Sequence, residues 1–347
     1  MQYNDLTMGH VEFYVADIAV PLAELVDGYG FEVLGSYRAE SHTSTAVGQG
    51  DIVFVLTQPH DDDHPASLYV ARHGDGVANI VLRTSDARAA FTAAVTSGAH
   101  PVVAPKESVG VVSAVIGAFG DVVHTLLQAP ENFIPGFGTL PSPAPREDGL
   151  LALDHFAVCL DAGDLAGAVE FYESALGFSA IFEERIAVGD QAMNSKAVQS
   201  ASGTVTFTLI EPDTSAKPGQ IDDFLKDHGG AGVQHVAFTS TNIVRAVGQL
   251  NRRGVRFLDP PKTYYRMLSD RLELVRHKAE DLEPLGILVD ADHDGHLFQI
   301  FTRSTHSRRT LFFEVIERLH AQTFGSGNVQ ALYQAVEMER ITAQESL

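Results

Sequence analysis

Leu153-Asp154-His155-Phe156-Ala157-Val158-Cys159-Leu160 is the stretch on which the reading of this 347-residue chain turns. Its β-branched and aromatic residues predict a strand, and strand parity puts His155 on one face with Leu153 and Ala157. Working outward, Gly163 to Leu176 carries apolar residues at Leu165, Val169, Phe171, Tyr172 and Leu176, near helical spacing. Three short strand-like runs follow, near Ala180–Val188, Ala192–Ser200 and Val205–Ile210, the last closed by Glu211-Pro212-Asp213. The unit restarts at Gly232–Ser240, with a helix around Asn242–Arg253 and strands near Arg256, Leu285–Asp290, His296–Thr302 and Phe312–Glu317. This is a βαβββ module used twice, of the kind that curves into a sheet around a pocket.

The first half repeats the second. Gly9-His10-Val11-Glu12-Phe13 matches Asp154-His155-Phe156-Ala157-Val158, Val53-Phe54-Val55-Leu56-Thr57-Gln58-Pro59 matches Thr206-Phe207-Thr208-Leu209-Ile210-Glu211-Pro212, and Gly74-Asp75-Gly76-Val77-Ala78-Asn79 matches Gly230-Ala231-Gly232-Val233-Gln234-His235. The offsets of 145, 153 and 156 drift by eleven residues, which loop insertions accommodate. Between the halves, Pro130, Pro135, Pro141, Pro143 and Pro145 mark a linker. The expected organisation is α+β, with an N-terminal domain over 1–135, a linker over 136–149 and a C-terminal domain over 150–347. Each domain holds two βαβββ modules in a curved, barrel-like sheet.

Composition narrows the function classes. With 24 Lys and Arg against 45 Asp and Glu, the formal charge is −21, and no basic run follows a phosphate backbone, so nucleic acid and anionic membrane are poor partners. The most apolar stretch, Val111 to Val123, is broken by Gly117 and Gly120 and is too short to span a bilayer. The single Cys159 forms no internal disulfide and the start shows no secretory pattern, which predicts a reducing, cytoplasmic setting; homo-oligomerisation stays open.

Parity selects the candidates for chemistry. His235 shares a face with Val233 and Ala237, so both His155 and His235 are followed two residues on by a small alanine; Glu314 shares a face with Phe312 and Ile316. Two histidines and a carboxylate on separate strands facing one cavity compose the facial triad of non-haem Fe(II). The bland alternatives are core histidines with hydrogen bonds and a glutamate paired with Arg303 or Arg318. In the first half His10 stands for His155 but Asn79 for His235, and no equivalent glutamate is evident, so one active centre is expected, in the second half. Asp61-Asp62-Asp63-His64 reads as a solvated turn between strands and Cys159 as a small buried residue. P-loop, dinucleotide-binding, HExxH, CxxC and GxSxG patterns are missing from the sequence.

Leu153-Asp154-His155, Gly230 to His235, Phe298-Gln299-Ile300-Phe301-Thr302, Phe312-Phe313-Glu314-Val315-Ile316 and Phe324-Gly325-Ser326-Gly327-Asn328, in that order, resemble the 4-hydroxyphenylpyruvate dioxygenase family. The resemblance implies the vicinal-oxygen-chelate fold, Fe(II) held by His155, His235 and Glu314, and 4-hydroxyphenylpyruvate with O2 as substrates. It places Ser195, Thr208, Gln220, Gln234 and Gln299 at polar pocket positions and Phe301 and Phe324 at aromatic walls. Asn328 is expected to cap a helix carrying Val329, Leu332, Tyr333 and Val336, similar to the family's C-terminal lid.

The family has two branches, one hydroxylating the ring to homogentisate, the other hydroxylating the benzylic carbon to 4-hydroxymandelate. Ile210 and Val329 stand where the ring-hydroxylating branch usually has Asn and Phe, and Gln191 to Ser195 and Gly219 to Asp222 also look like the mandelate branch. The resemblance therefore implies 4-hydroxymandelate and CO2 as products, in the supply of 4-hydroxyphenylglycine for peptide antibiotics. Homogentisate formation is the runner-up, and a metal-free small-molecule binding protein on the same scaffold a third reading.

Overall fold

The computed structural model describes residues 5–144 and 149–330. In the first half, β1 (Thr7–Tyr14) is followed by α1 (Ala19–Ala23), which runs on into a π-helical turn, and then by β2 (Glu32–Arg38), β3 (His42–Gln49) and β4 (Ile52–Pro59). A second helix, α2 (Pro65–His73), leads to β5 (Gly76–Arg83), α3 (Ala87–Thr96), β6 (Pro101–Ser108), β7 (Val111–Gly117) and β8 (Val123–Gln128). Within the proline-rich stretch, β9 (Phe133–Ile134) and β10 (Gly138–Thr139) form a small hairpin.

The second half repeats this order. It runs β11 (Leu153–Cys159), α4 (Leu165–Leu176), β12 (Ser179–Val188), β13 (Gln191–Gln199), β14 (Thr206–Pro212), α5 (Gln220–His228), β15 (Gly232–Thr239), α6 (Ile243–Arg252), α7 (Lys262–Arg271), α8 (Ala279–Leu282), β16 (Leu288–Ala291), β17 (His296–Phe301) and β18 (Phe312–Leu319). Each half folds into one eight-stranded sheet, ordered β2-β3-β4-β1-β5-β8-β7-β6 and β12-β13-β14-β11-β15-β18-β17-β16. In each sheet two four-stranded modules join through their first strands, β1 with β5 and β11 with β15, paired antiparallel.

Helix termini follow local chemistry. Asp86 and Asn242 accept from the backbone N–H three residues on, capping α3 and α6, and Gly177 and Gly229 close α4 and α5 in the left-handed region. Asp61 to His64 is a turn, but it opens α2, with His64 Nδ1 accepting from Ala66, rather than joining two strands. The strand expected near Arg256 does not form. Only a bridge between Phe257 and Thr302 marks it, and Pro260 and Pro261, which lack ladder donors, turn the chain into α7 instead.

One apolar core binds the two halves. Phe54 of β4 lies 6.0 Å from Phe238 of β15 and Tyr29 lies 5.1 Å from Phe313 of β18. His124 of β8 meets the Tyr172 hydroxyl of α4 at 2.9 Å. One side of each sheet thus feeds the shared core and the other is free to line a pocket. Among the described residues no helix is long and apolar enough to cross a membrane.

Candidate metal centre

Strand register builds the site in rows. His155 on β11 pairs with Ala237 on β15, which pairs with Glu314 on β18; one row along, Ala157 pairs with His235, which pairs with Phe312. The two alanines therefore stand beside the two imidazoles, and their small side chains leave the rings room to turn toward Glu314. His155, His235 and Glu314 are all buried, and one ligand atom of each lies within 4.8 Å of the others. Glu314 Oε2 is 3.5 Å from His155 Nε2 and 3.3 Å from His235 Nε2. Glu314 is 2% exposed and, among the described residues, forms no salt bridge with a lysine or arginine. Neither Arg303 nor Arg318 pairs with it: Arg303 donates to the Phe257 carbonyl and Arg318 to Asp154.

Two β-bulges orient the rings. The ladder between β11 and β15 skips Asp154 on one strand and Gln234 on the other. A bulged residue escapes the alternation of its strand, so each can reach the imidazole beside it. His155 Nδ1–H donates to Asp154 Oδ1 at 2.8 Å, and His235 Nδ1 lies 3.4 Å from Gln234 Oε1. Both contacts leave Nε2 facing Glu314. Arg318 grips Asp154 with Nε and Nη2, at 2.8 and 2.9 Å, and donates through Nη1 to the carbonyls of Ala321 and Thr323. Burial by itself raises the Asp154 carboxyl, but the Arg318 and His155 hydrogen bonds outweigh it and hold it well below the usual range. Burial also lowers the His235 imidazole, against the pull of Glu314, and so favours the neutral ring that ligates metals.

Aromatic rings close around the cluster. Phe312 stacks on His235 at 4.9 Å, Phe301 meets it edge-on at 5.8 Å, and Phe324 stands perpendicular to His155 at 5.2 Å, with the Arg318 guanidinium 4.9 Å from its ring. Ser195, Thr208 and Ile210 are buried on the neighbouring strands, Ile210 pairing with both Cys159 and Ser195, and Thr208 with Ala157. Gln299, one row from Phe301 on β17, is 1% exposed. Thr208 Oγ1 and Gln299 Oε1 are buried with no hydrogen-bond partner among the described residues. Cys159 is fully buried and burial pushes its thiol up, the behaviour of a packing residue.

Several expected residues sit differently. Gln220 is exposed at the start of α5, whose Ile221 and Phe224 are the residues that pack against Ala157 and Ile210. Gln234 turns to His235, although parity alone puts it on the opposite face. Asn328 is not a cap: the helical turn at 326–330 starts after Gly325, whose carbonyl accepts from Asn328 and Val329. Asn328 is instead fully buried and its Oδ1 accepts from the Tyr264 hydroxyl at 2.7 Å, because α7 packs over it. Val329 is half-buried, and Leu332, Tyr333 and Val336 lie outside the described residues. Four features were not legible in the sequence: the orienting role of Asp154, the Arg318 clamp, the Phe312 ring on His235, and Phe182, whose ring lies 5.7 Å from that of Phe324. The one signal for the first was a polar residue directly before each histidine.

A duplicated βαβββ scaffold with two histidines and a carboxylate on adjacent strands of one curved sheet defines the vicinal-oxygen-chelate class. Residues 152–300 match the Glyoxalase/Bleomycin resistance protein/Dioxygenase superfamily, and residues 5–131 match the family described as Hydroxyphenylpyruvate dioxygenase, HPPD, N-terminal. The chain is 30% identical to 4-hydroxyphenylpyruvate dioxygenase of Dictyostelium discoideum, covering 96% of this chain and 98% of that one, and 31% identical to that of Xenopus tropicalis, covering 96% and 91%. It therefore belongs to the 4-hydroxyphenylpyruvate dioxygenase family. Among solved structures, a triple mutant of 4-hydroxymandelate synthase from Streptomyces coelicolor superposes with a TM-score of 0.86 at 40% identity, covering 97% of this chain and 99% of that one.

Proposed function

We propose that this chain is an Fe(II)-dependent oxygenase that converts 4-hydroxyphenylpyruvate and O2 to 4-hydroxymandelate and CO2. The observation that carries the reading is the buried cluster of His155, His235 and Glu314, which among the described residues has no lysine or arginine paired with Glu314 and is flanked by unpartnered polar atoms. A buried carboxylate without a cation is costly, and a divalent metal ion compensates it. Two neutral imidazoles and one carboxylate suit Fe(II) and leave positions open. When bound, Fe(II) supplies the redox chemistry that activates O2.

The protein's part is positioning. Asp154 and Gln234 hold the two Nδ1 atoms, so the Nε2 lone pairs are committed to the metal side. Phe301, Phe312 and Phe324 exclude water and wall an aromatic ring. Thr208 Oγ1 and Gln299 Oε1 await hydrogen-bonding groups of the substrate. The substrate's 2-oxo acid carries the reducing electrons, since 4-hydroxyphenylpyruvate plus O2 balances to 4-hydroxymandelate plus CO2. A second 2-oxo acid is not consumed.

Two observations support the benzylic outcome. Ile210, 8% exposed beside Ser195 and Cys159, offers no hydrogen bond to hold a phenol or carboxylate. Identity is also higher to the solved mandelate synthase, 40%, than to the dioxygenases cited, 30 and 31%. Incubation with Fe(II), O2 and 4-hydroxyphenylpyruvate, followed by chromatography and mass spectrometry, tests the reading. Homogentisate as the main product would move the chain to the ring-hydroxylating branch, and turnover by metal-free protein would remove the metal centre from the mechanism.

A further inference from the structure

The duplication that places one metal cluster in the second half leaves a different site at the matching place in the first. Glu12 pairs with Asn79 as Ala157 pairs with His235, and Thr125 pairs with Val81 as Glu314 pairs with Ala237. The first half therefore carries a carboxylate where the second has a methyl group, and a threonine where the second has its glutamate. Glu12, His10, Asn79, Tyr37, His42 and Phe137 are among the residues around a cavity of about 270 Å³.

The polar groups of this cavity are incompletely satisfied. Glu12 accepts from the Thr57 hydroxyl at 2.7 Å and the Asn79 amide at 3.2 Å, yet among the described residues no lysine or arginine lines the cavity. Burial raises the Glu12 carboxyl despite those two bonds, and a positive partner beside it favours the ionised form, which has lone pairs to spare. His10 is 7% exposed, and its ring makes no hydrogen bond among the described residues. Gly9 holds the place of Asp154, so the acceptor that orients His155 has no counterpart here. Arg83, near His10, spends its guanidinium on the carbonyls of Ala129 and Pro130, both at 2.6 Å. Tyr37, which also lines the cavity, has its ring 6.0 Å from Phe137 and 5.8 Å from His42. Among the described residues only the second-half cluster has metal-binding geometry, so a metal ion is not the occupant this cavity suits.

We propose that this cavity is a second ligand site, for a small organic ammonium ion with an aromatic body. Its N–H groups meet the Glu12 carboxylate and the free His10 nitrogen, and its body lies against Tyr37 and Phe137, where ring faces also attract a cation. An aryl carboxylate such as the oxo-acid substrate is disfavoured, because its charge would face the Glu12 carboxylate and, among the described residues, no lysine or arginine lines the cavity to offset it. The two halves thereby sort aromatic ligands by the sign of their charge.

Calorimetric titration of the Fe(II)-loaded chain with tyramine tests this. Saturable one-to-one binding is expected, weakened about tenfold or more by Glu12→Gln, which removes the charge and keeps the shape. Tyr37→Leu should weaken it too, and this half-buried wall residue serves if Glu12→Gln fails to fold by circular dichroism. His235→Ala should leave the isotherm in place. Absence of saturation by about 10 mM, equal affinity in folded Glu12→Gln, or loss of binding in His235→Ala would each overturn the proposal.

Discussion

Asp154→Ala separates the orientation of the metal centre from the stability of the fold. Three hydrogen bonds, of 2.8, 2.8 and 2.9 Å, end on this one carboxylate, which is 9% exposed beside an Arg318 side chain that is 22% exposed. Truncation leaves a largely buried guanidinium without its anion, and removing one partner of a fully buried pair costs about 3–5 kcal/mol, an upper bound for this partly exposed one. Arg318 keeps the Ala321 and Thr323 carbonyls, so the lower figure, about 3 kcal/mol, is expected. The variant also takes the acceptor from His155 Nδ1, freeing ring and tautomer, and loss of such an orienting partner weakens metal affinity about 10–100-fold, or roughly 1.4–2.8 kcal/mol. The double variant Asp154→Ala/Arg318→Met distinguishes the two effects. An apolar pair restores most of the stability but cannot accept from His155. Denaturant unfolding and competition titration with Fe(II) or Co(II) read the two quantities. Metal affinity within twofold of wild type in folded Asp154→Ala would refute the orienting role, as would recovery of affinity in the double variant.

Ala237 is fully buried between His155 and Glu314 in the register, so Ala237→Val should overpack by about 1–3 kcal/mol and lower metal content, measured by thermal unfolding and elemental analysis; full occupancy would count against the spacer role. His124, held at about 4 by burial, is neutral in the fold and charges more readily when unfolded, so its contribution is complete above pH 6.5 and falls away as pH drops toward 4, by on the order of 3 kcal/mol. His124→Phe should flatten the stability profile across that window, and an unchanged slope would assign it to other groups. Ile210→Asn with Val329→Phe should raise the ring-hydroxylated fraction, since about 1.4 kcal/mol between competing barriers changes a product ratio tenfold; an unaltered ratio by chromatography would remove both residues from the explanation. Oxygen uptake should match CO2 release one to one without added 2-oxoglutarate, and a requirement for that co-substrate would place the chain in another oxygenase class.

Parity and repetition made much of this protein legible from its sequence alone. The period-two pattern around His155, His235 and Glu314 put each on a definite strand face, and the same βαβββ order on both sides of the proline-rich stretch announced two similar sheets. These are local properties, set by alternation along a few residues. The register that sets Ala237 between His155 and Glu314 is different, because it joins strands whose residues are up to 159 positions apart, 314 − 155, and follows from how three strands pair. Bulges broke the alternation at Asp154 and Gln234, turning two residues that parity sends to the opposite face into the partners of the imidazoles. Arg318 could find Asp154, 164 residues away, only once β18 and β11 lay in one sheet. Asn328 looked like a cap by its position before an amphipathic run, but packing of α7 buried it against Tyr264, since a buried amide must find a partner wherever the fold supplies one. Side-chain alternation is written into the chain; which bulge re-aims a residue, and which distant donor meets it, is decided by strand pairing and packing.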